Sequence, residues 1–186
     1  MATASAFPPI YEAPLDRAAL RDPIEYLRFE HFRQRVLCEL LGHIADDPYG
    51  PDSRRRIPWV LQYLSKELVL HVADEEQDLL PLLGQRCDGA DALSDISGAL
   101  EHEHVSDESL SADIVAGLAA LAAGRRLDVP LDFIVKAQML EERLRRHLTW
   151  ENLTLMPLAR RRLTADDLAE LSRNMARRHQ IDVPVH

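Results

Sequence analysis

Apolar residues recur every three or four positions along four long stretches of the chain, the period of a helix with one buried face. In the first stretch Ile24, Leu27, His31, Cys38 and Leu41 share a face. Asp22, Pro23 and Glu25 supply its cap, first-turn proline and capping-box acid, and Asp47-Pro48 ends it near Asp46. The second stretch begins between Asp52 and Pro58, carries Val60, Leu64, Leu68, His71, Glu75 and Leu82 on one stripe, and is predicted to close at Gly84. The third runs from about Ser94 to Ala123, with Ile96, Leu100, His104, Ile114 and Leu118 inward and Gly124 as terminator. The fourth opens at Asp128 and Pro130 and carries Ile134, Ala137, Leu140, Leu144, His147, Glu151 and Leu158. A shorter fifth helix follows a Thr164–Asp167 capping box, with Leu168, Leu171 and Met175 on one side. The expected fold is all-α: an antiparallel up-down-up-down four-helix bundle over 22–162, an N-terminal arm over 1–21, and a short C-terminal helix and tail over 163–186.

Composition narrows the function classes. Aromatics are only 5% while Leu, Ala, Arg and Glu abound, which favours helices over strands. The formal net charge of −9 repels a nucleic-acid backbone, and no basic face reverses it, so no nucleic-acid partner is expected. No run approaches the roughly 20 apolar residues that span a bilayer, and the opening MATASAFPPIYEAPLDR lacks the basic and apolar regions of a secretory signal. Cys38 and Cys87 are too few and too distant for a disulfide framework or a thiolate metal site, which fits a cytoplasmic protein.

The informative positions are the polar ones on the apolar stripes. Each long helix has a histidine where its period calls for an apolar side chain: His31, His71, His104 and His147. One such histidine is more often a hydrogen-bonded core residue than a ligand. Four, one per helix, are harder to explain that way. Two belong to a repeated pattern, His71 with Glu75 and His147 with Glu151, in which residues four apart point an imidazole and a carboxylate at one place. An ionised carboxylate inside a bundle costs several kcal/mol unless it is paired or bound to a cation, and the six candidates include no Lys or Arg. Depth agrees. Measured at 1.5 Å per residue from the end where the first and third helices begin, His31 lies about 12 Å in, Glu75 and His71 about 12 and 18 Å, His104 about 15 Å, and Glu151 and His147 about 15 and 21 Å. Four imidazoles and two carboxylates exceed one tetrahedral zinc and hold too little oxygen for calcium; mixed N and O donors in this number suit two transition metals, most naturally iron.

At these residues the sequence resembles the hemerythrin-like (HHE cation-binding) family. The matching segments are EYLRFEHFRQRVL around His31, LVLHVADEEQDLLPLL around His71 and Glu75, LEHEHVSDESL around His104, and RRHLTWENLTLMPLA around His147 and Glu151. The resemblance spans about 22–162, leaving the arm and last helix unassigned. It implies a centre of two iron ions, with His31 and His71 on one, His104 and His147 on the other, and Glu75 and Glu151 bridging. It departs from the oxygen carriers at Glu108, which stands where they have a second histidine one turn after the first; the reading here is a polar neighbour rather than a ligand. Reversible oxygen carriage is weakened accordingly.

Two classes of function follow. In one, the centre binds oxygen, nitric oxide or peroxide for sensing, scavenging, storage or iron handling; no separate output domain is expected, so signalling would pass to a partner, and a homodimer is one assembly considered. In the other, the chain is a di-iron enzyme with peroxidase- or catalase-like or iron–sulfur-repair activity. Oxidase bundles carry Glu-x-x-His and are rich in carboxylate, whereas this chain has His-x-x-x-Glu and twice as many imidazoles as carboxylates. His43, His102, His179 and His186 are expected at the surface, Trp59 and Trp150 to pack, and the Arg runs at 54–56, 160–162 and 177–178 to be solvated helix ends. Of the acidic run at 74–78, only Glu75 is expected to face inward.

Overall fold

Asp22 caps the first helix as its sequence implies, accepting the Glu25 backbone N–H at 3.2 Å. The computed structural model describes residues 20–91 and 93–181; most of the predicted arm, His186 and the Ile96 side chain lie outside the described residues. Within them the elements are α1 (Pro23–Asp46), α2 (Pro51–Gln62), α3 (Leu68–Asp74), α4 (Leu80–Arg86), α5 (Leu93–Ala122), α6 (Pro130–Leu153), α7 (Leu155–Arg162) and α8 (Ala165–Arg178). No strand occurs among the described residues. α1 packs on α2 and α6, and α5 packs on the same two.

The second predicted helix is a rod of three α-helices, starting at Pro51 and joined by π-helical turns at Tyr63–Glu67 and Glu75–Leu79. Pro81 explains part of this. It has no N–H for the carbonyl one turn back, and in the widened turn before it the Leu80 N–H bonds to the Glu75 carbonyl. Gly84 does not close the rod, which runs on to Arg86 and ends at Cys87. The fourth predicted helix is likewise interrupted, at Thr154. Pro157 cannot bond to the Leu153 carbonyl and its ring crowds it, so α6 stops there and α7 restarts. α5 ends in a Schellman turn: Gly124 has φ +70°, its N–H bonds to Leu121 O at 3.0 Å, and Arg125 N–H bonds to Ala120 O at 2.9 Å. The predicted capping box of α8 is present, with Thr164 and Asp167 each bonding the other's backbone N–H.

The core is split into two apolar clusters. One joins Leu27 on α1, Leu79 and Leu83 on the second rod, Leu100 on α5, Leu155 on α7 and Leu171 on α8. The other joins Leu37 and Leu41 on α1, Leu64 and Leu68, Ile114 and Leu118 on α5, and Leu144 on α6. Each fully buried leucine contributes about 1.5–3 kcal/mol. Between the clusters, every rod passes through the level at which its predicted histidine lies.

Candidate metal centre

His31 sits on α1 between Leu27 of one cluster and Val36 of the other; His71 and Glu75 sit between Leu68 and Leu79 in the same way. His104 follows Leu100 on α5, and His147 and Glu151 lie between Leu144 and Leu155. The six side chains therefore form one polar layer, which depth counting along the sequence anticipates. Their ligand atoms fall into two groups, each within 4.8 Å: His31, His71, Glu75 and Glu151, and Glu75, His104, His147 and Glu151. Both carboxylates are common to the two groups.

The orientation of each carboxylate is what distinguishes this layer. Glu75 Oε1 lies 3.7 Å from His31 Nε2 and 3.6 Å from His71 Nε2, while its Oε2 lies 3.7 Å from His104 Nε2. Glu151 Oε2 lies 3.4 Å from His31 Nε2, and its Oε1 3.0 Å from His147 Nε2. Each carboxylate thus offers one oxygen to each pair of rings. Both are fully buried. Eight side-chain atoms here have ion-pair neighbours at most and no well-aligned hydrogen bond: both ring nitrogens of His31 and of His71, and all four oxygens of Glu75 and Glu151. Buried polar atoms are seldom left so. A cation answers the four oxygens and one nitrogen of each ring, so the residues present fit a metal.

Two further acids set the tautomers. Glu76 Oε1 lies 2.8 Å from His104 Nδ1, and Glu103 Oε2 lies 2.9 Å from His147 Nδ1. An ionised carboxylate only accepts, so Nδ1–H donates in both rings and Nε2 faces the centre. Neither acid is visible in the sequence as a partner, because each stands one residue from a ligand and the ring it holds belongs to another helix. The electrostatics show what a cation would replace. Burial opposes charge on His147, but Glu151 and Glu75 outweigh it and push its pKa up to about 10. Burial likewise opposes charge on His31 and is outweighed by the same carboxylates, whereas burial prevails at His71 and lowers its pKa to about 3. Burial would raise the Glu151 pKa, yet His147, His31 and His104 hold it below the ordinary value. Protonated imidazoles supply the positive charge here, and a metal taken up at these atoms would displace their protons.

Other positions fall as expected or are corrected. Glu108 is exposed and belongs to neither group. His43 and His102 are exposed, Cys38 is buried in the cluster around Ile114, and Trp150 packs partly buried against the cluster around Leu100. His179 is not a surface residue: its Nε2 lies 2.7 Å from Asp74 Oδ2 and its Nδ1 3.2 Å from the Tyr26 hydroxyl. Arg178 is not a solvated helix end, since it pairs with Asp74 and, at 2.6 Å, with Asp78. Asp74 and Asp78 are accordingly buried along with Glu75, facing α8 instead of the centre. A pattern within one helix cannot reveal that a later helix will cover its outer face. Arg160 pairs with Asp22 and Glu25, and Arg162 with Asp88 and Asp91, tying α7 to distant segments.

A helical protein with two clusters of buried imidazoles and shared carboxylates is, by class, a cation-binding helical protein. The chain belongs to the hemerythrin HHE cation-binding domain family, whose match covers residues 22–180. That match reaches past 162 and takes in α8, which the resemblance read from the motifs left out. No curated protein and no solved structure matches the chain. No helix among the described residues is long and apolar enough to cross a membrane.

Proposed function

We propose that the chain holds two iron ions, His31 and His71 on one, His104 and His147 on the other, with Glu75 and Glu151 bridging, in a bundle of antiparallel up-down order. The observation that carries this reading is the split of each carboxylate, one oxygen toward each imidazole pair. Four nitrogen donors and two carboxylates suit iron over zinc or calcium. Bound there, ferrous iron supplies a place for oxygen, nitric oxide or peroxide, and the function is to bind such a molecule for sensing, scavenging or iron handling. The division into an arm over 1–21, a bundle over 22–162 and a C-terminal helix and tail over 163–186 belongs to the same proposal.

The chain's own residues give the centre its character. Glu76 and Glu103 orient His104 and His147, the flanking leucines exclude water from two sides, and Asp74 is held by Arg178 and His179 one residue from the bridging Glu75. The imidazole-rich donor set favours ligand binding over high-valent chemistry. The test is anaerobic iron reconstitution followed by optical spectra on adding oxygen, nitric oxide and peroxide. Formation of persistent adducts supports the binding reading. Rapid peroxide turnover without an adduct instead supports the enzyme alternative, and no spectral response to any of the three contradicts both.

A further inference from the structure

A cavity of about 480 Å³ opens between the second rod and α5, and the imidazoles of His71, His104 and His147 are part of its wall. Two other wall residues have unpaired polar atoms although they are buried: the Gln34 side-chain nitrogen, in a residue 1% exposed, and the Ser111 hydroxyl, in one 8% exposed. Gln34 follows His31 by about one helical turn, and Ser111 follows His104 by about two. Both therefore lie beyond the histidine layer, toward the cluster that contains Ile114. Native interiors seldom leave such groups without a partner. The Gln34 amide and Ser111 hydroxyl can each donate one hydrogen bond into the same space.

The rest of the wall states what kind of molecule would receive those bonds. Leu64, Leu68, Val72 and Leu144 make it largely apolar. Its acidic residues are Glu76, Asp107 and Glu108, no Lys or Arg lines it, and its His104 and His147 rings already face Glu76 and Glu103, so an anion finds no unpaired cation among the wall residues. The volume falls among sites for small organic molecules, roughly 300–1,000 Å³. A diatomic, close in size to the roughly 30 Å³ of one water, would leave most of it unfilled.

We infer that this chamber binds a small uncharged organic molecule with an oxygen head, an alcohol or hydroperoxide, whose oxygen accepts from Gln34 and Ser111 and whose hydrocarbon body lies against the leucines. The inference deepens the reading above by naming the class of molecule that reaches the histidines, and rests on that reading only for what the centre then does. Calorimetric titration of the full-length chain, as isolated, with cyclohexanol and with cyclohexanecarboxylate tests it. Expected are one cyclohexanol per chain, affinity roughly tenfold lower in the Gln34→Leu/Ser111→Ala double variant, and far weaker binding of the carboxylate. Glu108→Lys, which reverses the sign of one wall charge, should strengthen carboxylate binding. Saturable binding is needed: its absence, equal affinity in the double variant, or a preference for the carboxylate overturns the inference. Cyclohexanol binding in a chain that takes up no iron would uphold the chamber and sink the di-iron reading instead.

Discussion

Two buried charged clusters meet on α1, at consecutive residues, and they solve the same problem in opposite ways. Glu30 is 2% exposed and carries its own cation: Arg33 Nη1 donates to Glu30 Oε1 at 3.1 Å, and the Tyr63 hydroxyl donates to Oε2 at 3.0 Å. Arg33 also pairs with Glu67 and lies 5.0 Å over the Tyr63 ring. Next to it, His31 opens onto Glu75 and Glu151, for which imidazoles are the ion-pair partners among the described residues. Each cluster sits against one of the two π-helical turns of the second rod, Tyr63–Glu67 for the first and Glu75–Leu79 for the second. The difference teaches where a metal is needed. A buried carboxylate is tolerable only beside a positive charge; the first cluster has a guanidinium for it, and the second has only imidazoles among the described residues, whose protons a cation from solution would replace.

Replacing Glu75 with Ala should break the second cluster most completely. Iron content after reconstitution is expected to fall from two ions per chain to one or none, with Glu151→Ala behaving alike, since each carboxylate serves both groups. Breaking the first cluster should spare the metal and damage the fold. Arg33→Met strands Glu30, and the expected loss is about 3–5 kcal/mol in urea unfolding, with iron content unchanged; Glu30→Gln in the same chain should recover part of it. If Arg33→Met empties the centre while leaving stability intact, the division between the clusters is wrong. Milder still, Glu103→Ala or Glu76→Ala removes only the acid behind one imidazole. A loss of roughly 10–100-fold in metal affinity is expected by chelator competition.

The smallest effects lie away from both clusters. Thr164→Ala removes the α8 cap and should cost about 1 kcal/mol by thermal unfolding. Arg86 and the Thr164 hydrogen bonds hold the Asp167 carboxyl well below its ordinary value of 3.8. A depressed carboxyl contributes stability at pH above that value and loses it as pH falls through the folded one. The anchoring of α8 should therefore weaken progressively as pH falls below about 4, read by far-UV circular dichroism, and Asp167→Asn should flatten that limb of the curve.

Much of this was legible along the chain. The stripes put all six candidate ligands at one depth because a regular helix converts residue number into height, and the structure brings those six together. The caps of α1, α5 and α8 were readable because capping is a matter of three or four adjacent residues. What escaped depends on contacts between segments far apart in sequence. The π-helical turns left the inward stripe of the second rod intact, so its period showed no defect. Glu103 reaches His147 on α6 while flanking His104, and no spacing rule links it to that ring. His179 reads as a surface residue of the tail and Arg178 as a solvated helix end, and only the folding of α8 back onto Asp74 gives them partners. Gln34 and Ser111 belong to no spacing pattern in the sequence and stand out only as unpaired atoms in a cavity wall.

The central claim is that the shared carboxylates join two metals into one centre. Mössbauer spectroscopy on the chain reconstituted anaerobically with iron-57, alongside iron and protein analysis, tests it most directly. The account predicts two irons per chain and, after oxidation, a magnetically coupled diamagnetic pair at low temperature. One iron per chain, or two that behave as isolated paramagnetic ions, would contradict it.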